Sequence, residues 1–321
     1  MKHILFFSLT GALLLSSLTA CGAPVSPSSS AAPSSASSSA AQAYTFTDDL
    51  GRTVTVEQPK RVAALIGSFA DVWCLAGGQD TLAAAAHDAW TSFDLGLSDT
   101  VADLGAVKEP NLEVLLAAQP DFILASCNTT ADLELESTFE SAGIPTAYFD
   151  IQSFDDYLNM LKICTDLTGC PENYEAYGLQ VQEQVEAAKA RQDGSAPTVL
   201  TIRATGSSCK VKGSSDFLLG EMLSDLGCVN VADSETSLLE ELSLEAILAA
   251  DPDYIFVVLQ GSDAADAQET LEKTLLSNPA WGSLRAVQEG RFHTLEHSLY
   301  NLKPNARWGE AYEKLADILY P

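Results

Sequence analysis

Polar, cationic and aromatic residues follow the apolar segments that predict β-strands in this sequence. Ser68 follows the first such segment, and His87 and Trp90 follow the second. In open α/β sheets, small ligands sit beyond the carboxyl ends of the strands. The side chains at these positions could therefore meet around a small molecule. The same rule selects three residues in the second half of the chain, which are Arg203, Tyr300 and Arg307.

The two arginines are the candidates with the most specific chemistry. Guanidinium groups bind carboxylate or catecholate oxygens well, and we favour ligand contact over a salt bridge for Arg203 and Arg307. The chain has 17 Lys and Arg against 44 Asp and Glu, for a net charge of −27. Such a field repels phosphate backbones and anionic lipid, so nucleic-acid binding and polybasic membrane attachment are excluded.

No catalytic motif is present. The sequence contains no phosphate loop, no dinucleotide glycine fingerprint and no Gly-x-Ser-x-Gly nucleophile elbow. We therefore expect no catalytic residue and no intrinsic cofactor. An extracellular enzyme on an α/β fold remains the less favoured reading, because it would need one of these devices.

Histidine spacing gives only weak evidence for a metal site. His293 and His297 flank Glu296 in "FHTLEH", but the neighbouring residues predict a strand running into a loop. That geometry disfavours a compact zinc site, and we predict no metal ligand. A receptor for a bare metal ion, held by His87, His293 and one carboxylate, remains an alternative.

The order of the predicted elements indicates two similar α/β lobes. Helical segments alternate with apolar strands in both halves, which is typical of mostly parallel sheets covered on both faces. We place the N-terminal lobe at residues 44–152 and the C-terminal lobe at 194–321. A helical linker over 153–193 separates them, and its part from Pro171 onward predicts one long helix. An amphipathic helix is predicted over 305–320.

One fourteen-residue segment of the sequence occurs twice in similar form. "NLEVLLAAQPDFIL" at 111–124 and "SLEAILAADPDYIF" at 243–256 share eight of fourteen positions. In each copy an N-cap residue precedes Leu and Glu, so Glu113 and Glu245 are predicted in the first turn of a helix. A carboxylate in the first turn interacts favourably with the helix dipole, and this would explain the presence of a glutamate at either position taken alone.

The first 43 residues predict export. Residues 1–21 have the length and apolar core of a signal peptide, and "LTAC" resembles the bacterial lipobox, in which the cysteine, here Cys21, is acylated. Residues 22–43 are almost entirely Ser, Ala and Pro, which predicts a disordered tether of roughly 25 Å root-mean-square length. We expect the six remaining cysteines to be buried thiols.

Residues 44–321 resemble the substrate-binding lipoproteins of ABC importers for ferric siderophores, haem and vitamin B12. The resemblance rests on "DDLGRTVTV…PKRVAAL", the two repeated units and the linker. It implies two α/β lobes joined by a single long helix, a shallow ligand cleft between them, and no catalysis. It also implies that Glu113 and Glu245 dock into the two subunits of a permease dimer, which works together with ATPase subunits. We expect a lipid-anchored monomer on the extracytoplasmic face of a bacterial membrane.

The ligand class stays open at this point. Arg203 and Arg307 suit an anionic iron chelate, whereas His87 or Tyr300 could bind haem iron axially. Trp90 suits any flat or apolar ligand, including a corrinoid.

Overall fold

Two mostly parallel sheets, one in each half of the chain, organise the fold in the computed structural model. The structure describes residues 43–240, 242–261 and 264–321. The predicted signal peptide with Cys21, and the tether up to residue 42, lie outside the described residues. None of the described helices is both long and apolar enough to cross a bilayer. The strands are β1 Tyr44–Thr47, β2 Thr53–Val56, β3 Val62–Ala64, β4 Leu82–Ala85, β5 Ala102–Asp103, β6 Phe122–Ser126, β7 Thr146–Phe149, β8 Thr198–Ala204, β9 Cys209–Lys212, β10 Val229–Asn230, β11 Tyr254–Leu259 and β12 Phe292–Leu295.

The helices alternate with these strands as the sequence predicts. They are α1 Gly67–Leu75, α2 Asp88–Thr91, α3 Leu112–Ala117, α4 Thr130–Glu134, α5 Glu136–Ala142, α6 Phe154–Thr168, α7 Pro171–Tyr174, α8 Gln180–Lys189, α9 Leu218–Asp225, α10 Val231–Ser234, α11 Ser237–Glu240, α12 Leu244–Ala250, α13 Ala264–Leu271, α14 Arg285–Gln288, α15 His297–Tyr300 and α16 Trp308–Leu319.

The N-terminal lobe has the sheet order β5-β4-β3-β6-β7, with all strands parallel. The β1–β2 hairpin lies beside it and turns at Gly51, whose φ of 77° favours glycine. Alternate residues of β6 pack into different cores, Phe122 and Leu124 on one face and Ile123 and Ala125 on the other. Both faces of the sheet are therefore covered, as the apolar strands predict.

The C-terminal lobe has the order β10-β8-β11-β12, again parallel, with β9 added antiparallel to β8. Its two faces also belong to different cores: Leu200 and Ile202 lie on one, and Val199 and Phe256 on the other. The second of these cores continues into the N-terminal lobe. The expectation of two α/β lobes with mostly parallel sheets is confirmed.

The linker region contains two helices, and the second is the long helix predicted from Pro171 onward. Helix α6 begins with a capping box between Ser153 and Asp156 and ends at Gly169, which has φ 76°. A second helix then runs over 171–189, with Pro171 in its first turn and a π turn at Glu175–Leu179. This helix packs closely on α16, because a Cβ at Gly309 would lie 2.6 Å from the Cβ of Gln184.

A buried carboxyl in the N-terminal lobe makes stability depend on pH. Asp132 is 0% exposed; one oxygen accepts a hydrogen bond from the Ser126 N–H at 2.8 Å, and the other has no partner in the described chain. Burial raises the pKa of Asp132 to about 7. The folded state therefore binds a proton between about pH 4 and pH 7 that the unfolded state has released.

We expect the free energy of unfolding to fall as pH rises through this window, by a few kcal/mol from Asp132 alone. Asp132→Asn should flatten this pH dependence. Urea unfolding of both proteins at pH 4.5 and pH 8 tests this, and equal pH dependence in the two proteins would assign it to other groups.

Candidate functional site

A cleft between the lobes opens at the carboxyl ends of the strands. Its main cavity has a volume of about 710 Å³, within the range of small-molecule sites. The main cavity is lined by Thr91, Ser92, Gln260, Gly261, Glu296, His297, Ser298, Asn301 and Leu302. A side cavity of about 290 Å³ shares Ser92, Ser298 and Leu302 with it. The side cavity is also lined by Asp71, Leu75, Phe93, Lys303, Pro304, Ala306 and Arg307.

Strand ends place these side chains. Strand β11 ends at Leu259, and the Gln260 N–H then donates to the Ala204 carbonyl at 2.7 Å. Gly261 has φ 129°, a conformation that a side chain would strain. Strand β12 ends beside it and continues into α15, which brings residues 296–302 to the same edge of the sheet. From the N-terminal lobe, α2 presents Thr91 and Ser92.

Arg307 lines the side cavity, but its charge is matched by glutamates. Its guanidinium donates to both carboxylate oxygens of Glu310, at 2.7 and 3.1 Å, and to Glu296 at 3.1 Å. The Lys314 ammonium group also pairs with Glu296 at 3.1 Å and with Glu310 at 2.8 Å. These bonds lower the pKa of Glu310 to about 2 and raise the pKa of Arg307. The salt bridge that we disfavoured for Arg307 is therefore present.

Arg203 is partly buried at the carboxyl end of β8, aligned with Val258 of β11. Among the described residues, its side chain has no ion pair and no hydrogen bond. It does not line either cavity as described above, but β11 next to it supplies Gln260. The structure thus leaves the Arg203 guanidinium available to a ligand.

Tyr300 and Ser68 belong to the interior. Tyr300 is 1% exposed, and its hydroxyl donates to the Ala311 carbonyl at 3.0 Å, so we no longer place it in the ligand site. Ser68 is 2% exposed at the start of α1, and its hydroxyl has no partner in the described chain. The Ser68 carbonyl accepts a hydrogen bond at 2.9 Å from the Asn305 side chain of the other lobe.

His87 directly precedes α2, and Trp90 lies within it, next to the cavity residues Thr91 and Ser92. The His87 side chain is 56% exposed, and its Nδ1 pairs with Asp103 at 2.7 Å. Trp90 is half-buried against the core of the N-terminal lobe. Neither residue lines the main cavity or the side cavity, and of the six predicted residues only Arg307 lines either of them.

His297, Asn301 and Lys303 are cavity residues that the sequence reasoning missed. His297 Nε2 and Asn301 Nδ2 lie 3.0 Å apart, as residues one helical turn apart can. Burial lowers the pKa of His297, which favours a neutral imidazole. The strand-end rule had selected this loop, and the phase of α15 decides which side chains face the cleft.

The described residues contain no group of three His, Cys, Asp or Glu side chains that could hold a metal ion. His293 lies in β12 with its ring stacked on those of Phe256 and Tyr254, at centroid distances of 5.7 and 6.4 Å. The bare-ion alternative that used His87 and His293 therefore gains no support from this part of the chain.

The repeated units form matching helices on the two lobes. Asn111 and Ser243 cap them by accepting from the N–H of Val114 and Ala246, at 3.1 and 3.2 Å. The glutamates that follow, Glu113 and Glu245, are exposed. No hydrogen bond or ion pair to either glutamate side chain is present among the described residues.

The aspartate of the Pro-Asp pair makes equivalent hydrogen bonds in the two repeated units. Asp121 accepts from the backbone N–H groups of Lys60 and Arg61 just before β3, at 2.9 Å or slightly more. Asp253 accepts from the N–H and hydroxyl of Thr198 at the start of β8, at 2.9 and 2.8 Å. The aspartates thus join each helix–strand unit to its sheet.

Known proteins are similar to this chain in sequence and in fold. The periplasmic binding protein family matches residues 62–299. The iron-uptake system-binding protein of Bacillus subtilis is 24% identical over 222 residues, covering 68% of this chain and 67% of the relative. The Fe(3+)-citrate-binding protein YfmC of the same organism is 24% identical over 261 residues, covering 79% and 78%.

A solved structure, Staphylococcus aureus SirA complexed with staphyloferrin B, superposes with a TM-score of 0.65 at 24% identity. The superposition covers 86% of this chain and 97% of that one, so the fold is shared almost throughout. The chain therefore belongs to the periplasmic binding protein family, the substrate-binding proteins of ABC importers, and it is not an enzyme.

Proposed function

We propose that this protein captures a ferric chelate outside the cytoplasm and delivers it to an ABC permease. The observation that carries the proposal is the main cavity between the lobes, whose volume of about 710 Å³ suits a small chelate. Its walls offer hydroxyl and amide groups from Thr91, Ser92, Gln260, Ser298 and Asn301. Relatives named for iron uptake and Fe(3+)-citrate binding support the same ligand class.

Haem is the second candidate ligand, and His297 is the residue that favours it. A neutral imidazole on the wall of the main cavity could bind iron axially, and burial lowers the pKa of His297 in that direction. The polar lining is less suited to a porphyrin, so we rank haem and the corrinoids below a hydrophilic ferric chelate.

A thermal-shift screen tests the ligand class. The probes are ferric citrate, a neutral ferric trihydroxamate, haemin and cyanocobalamin. A ligand at 100 times its Kd should stabilise the protein by about 2.7 kcal/mol. Stabilisation by a ferric probe supports the proposal, and stabilisation by haemin or cyanocobalamin alone would transfer it to the second candidate.

Delivery and location complete the proposal. Glu113 and Glu245 would each dock into one subunit of a permease dimer, since the structure places them at equivalent, exposed positions on the two lobes. Acylation of Cys21 would hold the protein at the extracytoplasmic face of the membrane, as the lipobox-like sequence indicates. The family supports an extracytoplasmic location in general.

Arg203→Ala should weaken binding of an anionic chelate by about 1.5–3 kcal/mol, the range for hydrogen bonds to charged groups. Arg307→Ala should weaken it less, because glutamates already match that charge. Lys60→Ala is the control, since Lys60 is exposed and lies before the amino end of β3. Titration calorimetry with ferric citrate measures all three, and an Arg203→Ala affinity equal to the control would remove Arg203 from the site.

A further inference from the structure

Most partly buried Lys and Arg residues in the described part of the chain have a carboxylate partner. Seven described Lys or Arg residues are shielded from solvent to that degree. Five of them form ion pairs, namely Arg52, Lys189, Arg191, Lys212 and Arg291. The other two, Arg203 and Lys303, have neither an ion pair nor a side-chain hydrogen bond within the described residues. Arg203 already has a proposed role in ligand binding, whereas Lys303 has none so far.

Lys303 lies where it could meet a ligand. It lines the side cavity, which joins the main cavity through Ser92, Ser298 and Leu302. The other charged groups of this cavity are engaged, since Asp71 accepts from the Asn305 amide at 2.8 Å and Arg307 pairs with Glu310 and Glu296. Outside the cavity, the carboxylates of Asp150 and Asp156 attract the Lys303 ammonium group, but neither forms an ion pair with it among the described residues.

Shielding from water without a close counter-ion is costly for an ammonium group. Burial accordingly lowers the pKa of Lys303, although the two aspartates act in the opposite direction. A bound anion would supply the missing partner with a charge-assisted hydrogen bond. The whole chain has a net charge of −27, so an anionic ligand also needs a local cation to enter the cleft.

We propose that Lys303 binds a carboxylate of the transported ferric chelate and so selects anionic carboxylate chelates over neutral ones. This inference rests on the proposed function, because it names the chemistry of the ligand in the same cleft. The three donors of an ammonium group suit a carboxylate of variable orientation. The hydroxyl of Ser92, at the junction of the two cavities, could donate to the same carboxylate.

The test compares Lys303→Gln and Lys303→Arg with the exposed control Lys60→Gln. Ferric citrate, prepared with excess citrate, and a neutral ferric trihydroxamate are titrated at low ionic strength. We expect Lys303→Gln to weaken ferric citrate binding about ten- to hundredfold. The trihydroxamate Kd should change less than about twofold, and Lys303→Arg should retain most of the ferric citrate affinity.

A second measurement separates a binding role from a structural one. Without ligand, Lys303→Gln should raise the melting temperature, because it removes a shielded charge that lacks a close partner. A ferric citrate Kd unchanged in Lys303→Gln, or one weakened equally for both probes, would overturn the inference while the proposed function stands. If the wild-type protein binds neither ferric probe, both the role of Lys303 and the proposed function are overturned. The titration of the wild-type protein alone distinguishes this outcome from the others.

Discussion

The double variant Glu113→Ala/Glu245→Ala should abolish uptake of the ferric chelate and stimulation of the importer's ATPase, while ligand affinity stays at the wild-type value. Charge pairs across protein interfaces couple by about 1.5–7 kcal/mol each. Loss of two such pairs would leave too little affinity for a productive complex. Transport by the reconstituted importer and calorimetric titration of the isolated protein measure the two effects separately.

The reason for this expectation is that the capping residues and the aspartates of the repeated unit make structural hydrogen bonds, whereas the two glutamate side chains make none among the described residues. Asn111 and Ser243 cap their helices, and Asp121 and Asp253 bond to the neighbouring strands. The glutamate side chains remain exposed and unbonded among the described residues. A two-fold symmetric partner would explain why the same charge occurs once on each lobe.

The stability of the double variant should fall by no more than the helix-dipole contribution, about 0.3–1 kcal/mol for each helix. Glu140→Ala is a suitable control, because Glu140 is an exposed carboxylate on α5 outside the repeated units. Normal uptake by the double variant would leave the helix dipole as the only role of the two glutamates.

Cys21→Ala should release the mature protein from the membrane, since acylation of Cys21 is the proposed attachment. One acyl chain gives only marginal membrane binding, and stable anchoring needs a second chain. Fractionation of cells that express the variant, with Cys127→Ala as a control, measures the effect. Retention of the Cys21→Ala protein in the membrane fraction would contradict the lipid anchor.

Sequence reasoning predicted the elements whose signals are local. The helices after Asn111 and Ser243 have side-chain caps that a short window of sequence contains. Strand β9 was missed, because "CKVK" has only four residues and its stability comes from pairing with β8. The start of the second linker helix at Pro171 was predicted, but the separate helix α6, which ends at Gly169 in the left-handed conformation that glycine favours, was not.

The position of the cleft followed from the strand-end rule, but its lining depends on features that the rule does not contain. Tyr300 and His297 lie in the same four-residue helix, and its orientation buries the first and turns the second toward the cleft. Arg307 was chosen for its charge, yet Glu310 lies three residues later, in the first turn of α16. Lys303 was missed because its lack of a close partner is a property of the folded chain.

Equilibrium dialysis with iron-55 ferric citrate tests the central claim most directly. We predict saturable binding of one chelate per chain that requires iron, because the cleft between the lobes provides a single main cavity among the described residues. Neither haemin nor cyanocobalamin should displace the label when present in modest excess. Absence of saturable binding for ferric citrate and for other ferric chelates, together with tight binding of haemin or cyanocobalamin, would contradict the account.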